Sequence, residues 1–237
     1  MKRLAIPFLF IAAWAATGAA AKGPVGELST LGYQGQERSF YLFVPKDLPA
    51  SPPLLLLLHG SGRDGDSMIA EWRKLAEKEG VLLVAPNAAN SRAWSSVDDS
   101  PKFLQAVLDQ VAATHAFDAN RIYLFGHSAG AVWGLQVGLL ASDVFAAVAI
   151  HAGMILPEDY GSIGRAKNKV PIHIQVGTKD RFFPLSSVQE TVSRLKASGF
   201  QAELVEIPGH DHDYYAKSKK VNEVAWAFLS QHGQRRD

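Results

Sequence analysis

Five consecutive leucines, Leu54 to Leu58, run directly into His59-Gly60. Successive side chains of a strand point to opposite faces, so a strand with leucine at every position has to be covered on both. The same signature recurs in VLLVAPN (81–87), RIYLFG (121–126), FAAVAIHAG (145–153) and VPIHIQVGTKD (170–180), with RSFYLFVP (38–45) and AELVEIPG (202–209) as further strands. Between them lie stretches with helical spacing: MIAEWRKLAEKEG (68–80), SPKFLQAVLDQVAATHAF (100–117), AGAVWGLQVGLLA (129–141), SSVQETVSRLKASG (186–199) and a last helix ending AWAFLSQHG (225–233). Ser100 reads as a helix cap and Pro101 as first-turn proline. Doubly apolar strands, each followed by a helix, require an α/β sandwich: a mostly parallel central sheet with helices on both sides. No repeat, low-complexity linker or charge block divides residues 22–237, which are expected to form one domain.

The first residues follow a different logic. Lys2 and Arg3 precede an almost wholly apolar run over residues 4–17, and Ala19-Ala20-Ala21 offers small residues for cleavage. This is the pattern of a signal peptide over residues 1–21, removed on export, and it predicts a periplasmic or secreted protein. The apolar run is short for spanning a bilayer core of ~30 Å, so no stable membrane anchor is expected. The chain has no cysteine, which excludes a lipidated N-terminal cysteine and any disulfide, so an exported domain must rely on its core. Removal of residues 1–21 leaves 22 basic against 23 acidic residues, a balance with no general pull toward nucleic acid.

In a parallel sheet, ligands bind where strands hand over to helices at the carboxyl edge. Ser128 stands on such a connection, between Gly126 and Gly130 in RIYLFGHSAGAVWG. A nucleophile on a sharp turn needs Gly-x-Ser-x-Gly, because residues two before and two after it pass close to neighbouring backbone. A serine hydroxyl also needs a base and an orienting acid, in this class of sheet each placed after a later strand. Asp180 closes VPIHIQVGTKD and is the acid candidate. EIPGHDHDYY offers two histidines for the base, His210 and His212, and spacing leaves both open. An oxyanion site would draw on the backbone N–H of Ala129 and of Ser61, the latter in the glycine-rich loop HGSGRDG. Trp94, His151, Phe182 and Phe183 are candidates for a pocket wall. His59 is expected to hold a loop and His127 to point away from the site. HGSGRDG has no phosphate-loop spacing, and GHDHD is too tightly spaced to enclose a zinc well, so neither a cofactor nor a metal is expected.

Three stretches, LLLLLHGSGRD, VDDSPKFLQAVLDQV leading into FDANRIYLFGHSAG, and VGTKDRFFP, resemble those of the α/β-hydrolases, and among these the exported polyhydroxybutyrate depolymerase and feruloyl or acetylxylan esterase group. The ending GHDHDYYAKSKKVNEVAWAF is similar to the tail of the esterase D and S-formylglutathione hydrolase relatives. That resemblance implies His212 as base, with His210 as the alternative. It also implies a three-layer α/β-hydrolase sandwich and a serine esterase acting through an acyl-enzyme. Residues 154–169 are too few for a large lid, so an open site is expected. This chain lacks the cysteines and separate substrate-binding domain of many depolymerases, which favours a small soluble acyl or aryl (feruloyl-type) ester over insoluble polyester. A prolyl-oligopeptidase-like peptidase, an acyltransferase, a polyhydroxyalkanoate depolymerase and a catalytically silent binding protein are the competing readings. Pattern alone does not specify oligomeric state.

Overall fold

In the computed structural model, which describes residues 25–234, eight strands form one sheet in the order β1-β2-β4-β3-β5-β6-β7-β8. The strands are β1 (Glu27–Tyr33), β2 (Gln36–Phe43), β3 (Leu54–Leu58), β4 (Leu82–Pro86), β5 (Ile122–His127), β6 (Ala147–His151), β7 (Ile172–Gly177) and β8 (Ala202–Ile207). From β4 onward along the sheet all pairings are parallel, while β2 runs antiparallel to both β1 and β4. The sheet is therefore mixed but largely parallel. The expected signal segment, residues 1–21, lies outside the described residues.

Strand β1 had no counterpart in the sequence reading. Its only signal is the loose alternation of ELSTLGY before Gln34-Gly35, whose backbones both take positive φ and turn the chain tightly into β2. Strand β2 is tied down by Arg38, which donates to Asn87 O, Asp98 O and the Asp99 carboxylate.

Two apolar layers cover the sheet. Leu54, Leu56 and Leu58 face one side, with Leu124, Val148, Ile150 and Ile174. This side packs against α2 (Pro101–Ala112), α3 (Ala129–Leu140) and α4 (Leu185–Ala197). Leu55 and Leu57 face the other, with Tyr123 and Phe125, beneath α1 (Gly65–Glu79) and α5 (Tyr214–Leu229). The five leucines are fully buried because the two layers divide them by parity. Helix α2 stops at Ala112 rather than reaching Phe117, and α1 starts earlier than its apolar spacing, at Gly65 after the Asp64 cap. Between β6 and β7 there is only a short 3-10 helix, Pro157–Arg165, so no large lid is inserted. Among the described residues no helix is long and apolar enough to cross a membrane.

Candidate active site

Strand β5 ends at His127 and α3 begins at Ala129, which leaves Ser128 alone to make the turn. Its backbone sits at φ 55° and ψ −119°, a conformation that L-residues rarely adopt and that neighbours must enforce. They do so from both sides: Ser128 N–H donates to His151 O at 3.1 Å, and Ser128 O accepts from Ala131 and Val132 at 2.9 and 3.0 Å. A Cβ on Gly126 would run into the Gly130 carbonyl, and one on Gly130 into the carbonyls of Leu58 and His59. The spacing of glycines around the serine is thus a packing requirement of the elbow. Gly60 brings the β3–α1 loop beside it, where an added Cβ would lie 3.3 Å from Ser128 Cβ.

Asp180 stands just past β7, its N–H donating to Gly177 O at 3.0 Å. Its Oδ1 accepts the backbone N–H groups of Phe182 and Phe183 at 2.8 and 3.0 Å, which fixes the carboxylate and leaves Oδ2 to face His212 Nδ1 at 2.8 Å. His212 Nε2 lies 2.8 Å from Ser128 Oγ. With the proton on Nδ1 toward the carboxylate, Nε2 is free to accept from the serine hydroxyl. The loop carrying His212 is stitched to the loop carrying Asp180: Lys179 N–H donates to His210 O, and Gly209 N–H to Thr178 Oγ1. Gly177 has no Cβ where His210 O approaches. Asp213 then caps α5 by accepting from Ala216 N–H, and Asp211 accepts from Asp213 N–H.

His210 lies elsewhere. Its side chain turns down into the protein, the ring 5.3 Å from that of His151, and its Nε2 has no hydrogen-bond partner among the described residues. Burial pushes its pKa down. The structure brings Ser128, Asp180 and His212 into one chain and leaves His210 out of it.

Ser128 and His212 open into a cleft of about 590 Å³ whose lining includes Gly60, Ser61, Arg63, Phe182 and Tyr215, with the Asp180 side chain buried behind His212. Phe182 is 73% exposed and its ring is 4.8 Å from that of His212, so it stands at the mouth as an aromatic wall. Phe183 stacks on His212 at 5.7 Å and packs inward against the core, outside the lining. Phe183 is thus one of three expected wall residues that the structure corrects, with Trp94 and His151. Trp94 packs against the core and donates Nε1–H to His59 O at 2.9 Å, a strut between loops rather than a pocket wall. His151 is fully buried under the sheet edge, because it shares strand parity with Ala147 and Ala149 and so faces inward under α5. His127, expected to point away, does line the cleft, with its ring 5.1 Å from that of His212. His59 holds a loop as expected, accepting Ala88 N–H at Nε2.

Sequence reading also passed over Arg63 and Tyr215, which form a cation–π pair at 4.3 Å in the cleft lining. Their signal was position alone, four residues past His59 and three past His212. Burial, followed by the neighbouring His212, pushes the pKa of His127 down to about 3, and burial pushes that of His151 well below its ordinary range. Both rings are neutral at physiological pH. No cluster among the described residues is suited to a metal ion.

The chain resembles several esterases in sequence. It is 28% identical to the bifunctional acetylxylan esterase/xylanase XynS20E of Neocallimastix patriciarum over 62% of this chain and 22% of that protein. It is 24% identical to feruloyl esterase B of Talaromyces funiculosus over 67% of this chain and 48% of that protein. The chain thus spans between about a fifth and a half of the length of these curated relatives. The crystal structure of LpqC, a poly(3-hydroxybutyrate) depolymerase from Bordetella parapertussis, superposes with a TM-score of 0.69 at 18% identity, covering 88% of this chain and 95% of that one. That likeness is one of fold. Residues 82–231, which run from β4 through β5, the elbow and the loops carrying Asp180 and His212, match the dienelactone hydrolase family. With the sheet order, the elbow and that match in agreement, the chain belongs to the dienelactone hydrolase family within the α/β-hydrolases and is related to the polyhydroxybutyrate depolymerase and feruloyl esterase group.

Proposed function

We propose that this protein is a serine carboxylic-ester hydrolase acting on small soluble acyl or aryl esters, feruloyl-type esters among them. The observation that carries the reading is the unbroken chain Ser128 Oγ–His212 Nε2 and His212 Nδ1–Asp180 Oδ2, both 2.8 Å, at the floor of an open cleft. His212 takes the proton as Ser128 Oγ attacks the ester carbonyl, and Asp180 steadies the imidazolium that results. The alcohol departs with the proton from His212, leaving the acyl group on Ser128. Water, activated by the same histidine, then releases the acid. Ala129 opens α3, so its N–H belongs to the first turn, which lacks intrahelical acceptors. That donor and the N–H of Ser61 are the groups assigned to the oxyanion. The three side chains carry out this chemistry without a cofactor. The open mouth and the exposed Phe182 suit an aryl or short acyl chain better than a long aliphatic one. The N-terminal pattern supports a mature chain beginning at Lys22 and working outside the cytoplasm, which N-terminal sequencing of the exported protein would test.

The deciding assay is turnover of p-nitrophenyl esters from acetate to palmitate, with methyl ferulate and a proline anilide alongside. Rapid cleavage of short acyl or feruloyl esters is expected, abolished in Ser128→Ala and His212→Ala and retained in His210→Ala. Anilide cleavage without ester preference would instead indicate a peptidase. A folded protein that turns over none of these substrates would overturn the esterase reading.

A further inference from the structure

His127 and His151 occupy facing register positions at the carboxyl ends of β5 and β6, and their Nδ1 atoms lie 3.1 Å apart. Both rings are almost wholly buried, and neither takes a second proton at neutral pH. Two neutral imidazoles meeting through Nδ1 need one donor and one acceptor. His127 Nδ1 also lies 3.4 Å from the His151 carbonyl oxygen. A bare lone pair there would face that oxygen's lone pairs, whereas an N–H has two acceptors to share. We assign the proton to His127 Nδ1, which leaves the lone pair on His127 Nε2; His151 then accepts at Nδ1 and carries its own N–H on Nε2, which has no partner among the described residues. The Cδ2 side of the ring faces Gly60, where an added Cβ would lie 3.2 Å away, so the edge opposite His151 turns toward the cleft that Gly60 and His127 both line. Tyr214 stacks on the ring at 5.0 Å and fixes its plane.

We propose that His127, held in one tautomer by His151, presents Nε2 as a hydrogen-bond acceptor to the alcohol portion of the substrate and selects esters whose alcohol carries a second hydroxyl near the ester oxygen. The inference rests on the esterase reading above. The alcohol side follows from the packing: the His127 ring lies against His212, the residue that returns a proton to the departing alkoxide. A donor one or two carbons from that oxygen comes within reach of the neighbouring ring. Unlike a charged group, a neutral acceptor here leaves the imidazolium form of His212 unopposed during turnover.

The test compares three butyrate esters that yield the same acyl-enzyme: 2-hydroxyethyl, 2-methoxyethyl and propyl. Deacylation is common to all three and does not enter kcat/KM, so any difference belongs to binding and acylation, the steps in which the alcohol portion is still on the enzyme. The hydroxyl ester is expected to be preferred roughly tenfold over both others, the size of one neutral hydrogen bond. His127→Asn places its amide at the Nδ1 position and has nothing at Nε2, so the preference should fall to about one. His127→Gln reaches the Nε2 position and should retain part of it. Far-UV circular dichroism and a melting curve verify that both variants are folded. A wild type without the preference overturns the inference alone, as does a methoxy ester equal to the hydroxyl ester or a preference that survives in His127→Asn. A folded wild type that cleaves no ester at all overturns the esterase reading and this inference with it.

Discussion

Two buried aspartates, Asp99 and Asp180, stand on loops at the same edge of the sheet and use their oxygens differently. Asp99 accepts Arg38 and Ala89 N–H at Oδ1 and Ser95 N–H at Oδ2, while its main-chain carbonyl accepts Trp133 Nε1–H from the elbow helix. Each of its oxygens has a partner within the protein, and Arg38 lies 3.9 Å over the Phe103 ring. It is a knot joining β2, the β4–α2 loop and α3. Asp180 also has two backbone donors, but both fall on Oδ1, so that Oδ2 is directed at a single ring, His212, which is itself partly open to the cleft. A carboxylate whose capacity is exhausted by backbone and a fixed guanidinium holds structure. One whose remaining oxygen is aimed at a partly open imidazole suits the chemistry proposed above. Burial alone does not separate the two, since both are largely inaccessible.

That contrast has consequences that separate activity from stability. Asp180→Asn should lower kcat on p-nitrophenyl butyrate by roughly 10³- to 10⁴-fold through loss of the correct imidazole tautomer, with the melting temperature nearly unchanged. A large drop in melting temperature would place Asp180 in the same structural class as Asp99. Asp99→Ala should do the reverse. It strands the Arg38 charge in the interior and is expected to cost about 3 to 5 kcal/mol in a denaturant titration. The accompanying fall in melting temperature is roughly 10 °C, with kcat/KM per folded molecule within a few-fold of wild type.

A smaller difference should be visible along the pH axis. His127 binds its proton near pH 6.5 when unfolded and only near pH 3 when folded. Below 6.5 the unfolded state therefore takes up protons that the folded state excludes, and stability declines as pH falls through that window. His151 adds in the same direction. Melting temperatures between pH 7 and 4 should fall steadily in the wild type and less steeply in His127→Asn. An identical slope would mean that His127 is not the group excluded. The smallest effect concerns Trp94. Replacing it by Phe removes the bond to His59 O and should cost about 1 kcal/mol, with KM for butyrate esters unmoved. A raised KM would return Trp94 to the substrate wall.

The amino-acid sequence by itself determined the sheet and its covering, because strands apolar on both faces have few other ways to bury themselves, and Leu54 to Leu58 alone demand a layer on each side. It also marked the elbow, where Gly126 and Gly130 leave a steric trace at fixed spacing around Ser128, and the order in which acid and base candidates follow. It did not reveal β1, whose alternation is weak on an edge with one exposed face. Spacing left open which of His210 and His212 meets Ser128; the resemblance of the C-terminal stretch pointed to His212, and the tertiary structure supplies the physical reason. Loop residues two apart have no periodicity that assigns them a direction, and the choice is made by Gly177 and Lys179 holding the His210 backbone against β7. The same is true of His127 and His151. Each is set by the parity of its own strand, but their meeting depends on the β5–β6 register, and no short stretch of sequence contains that register.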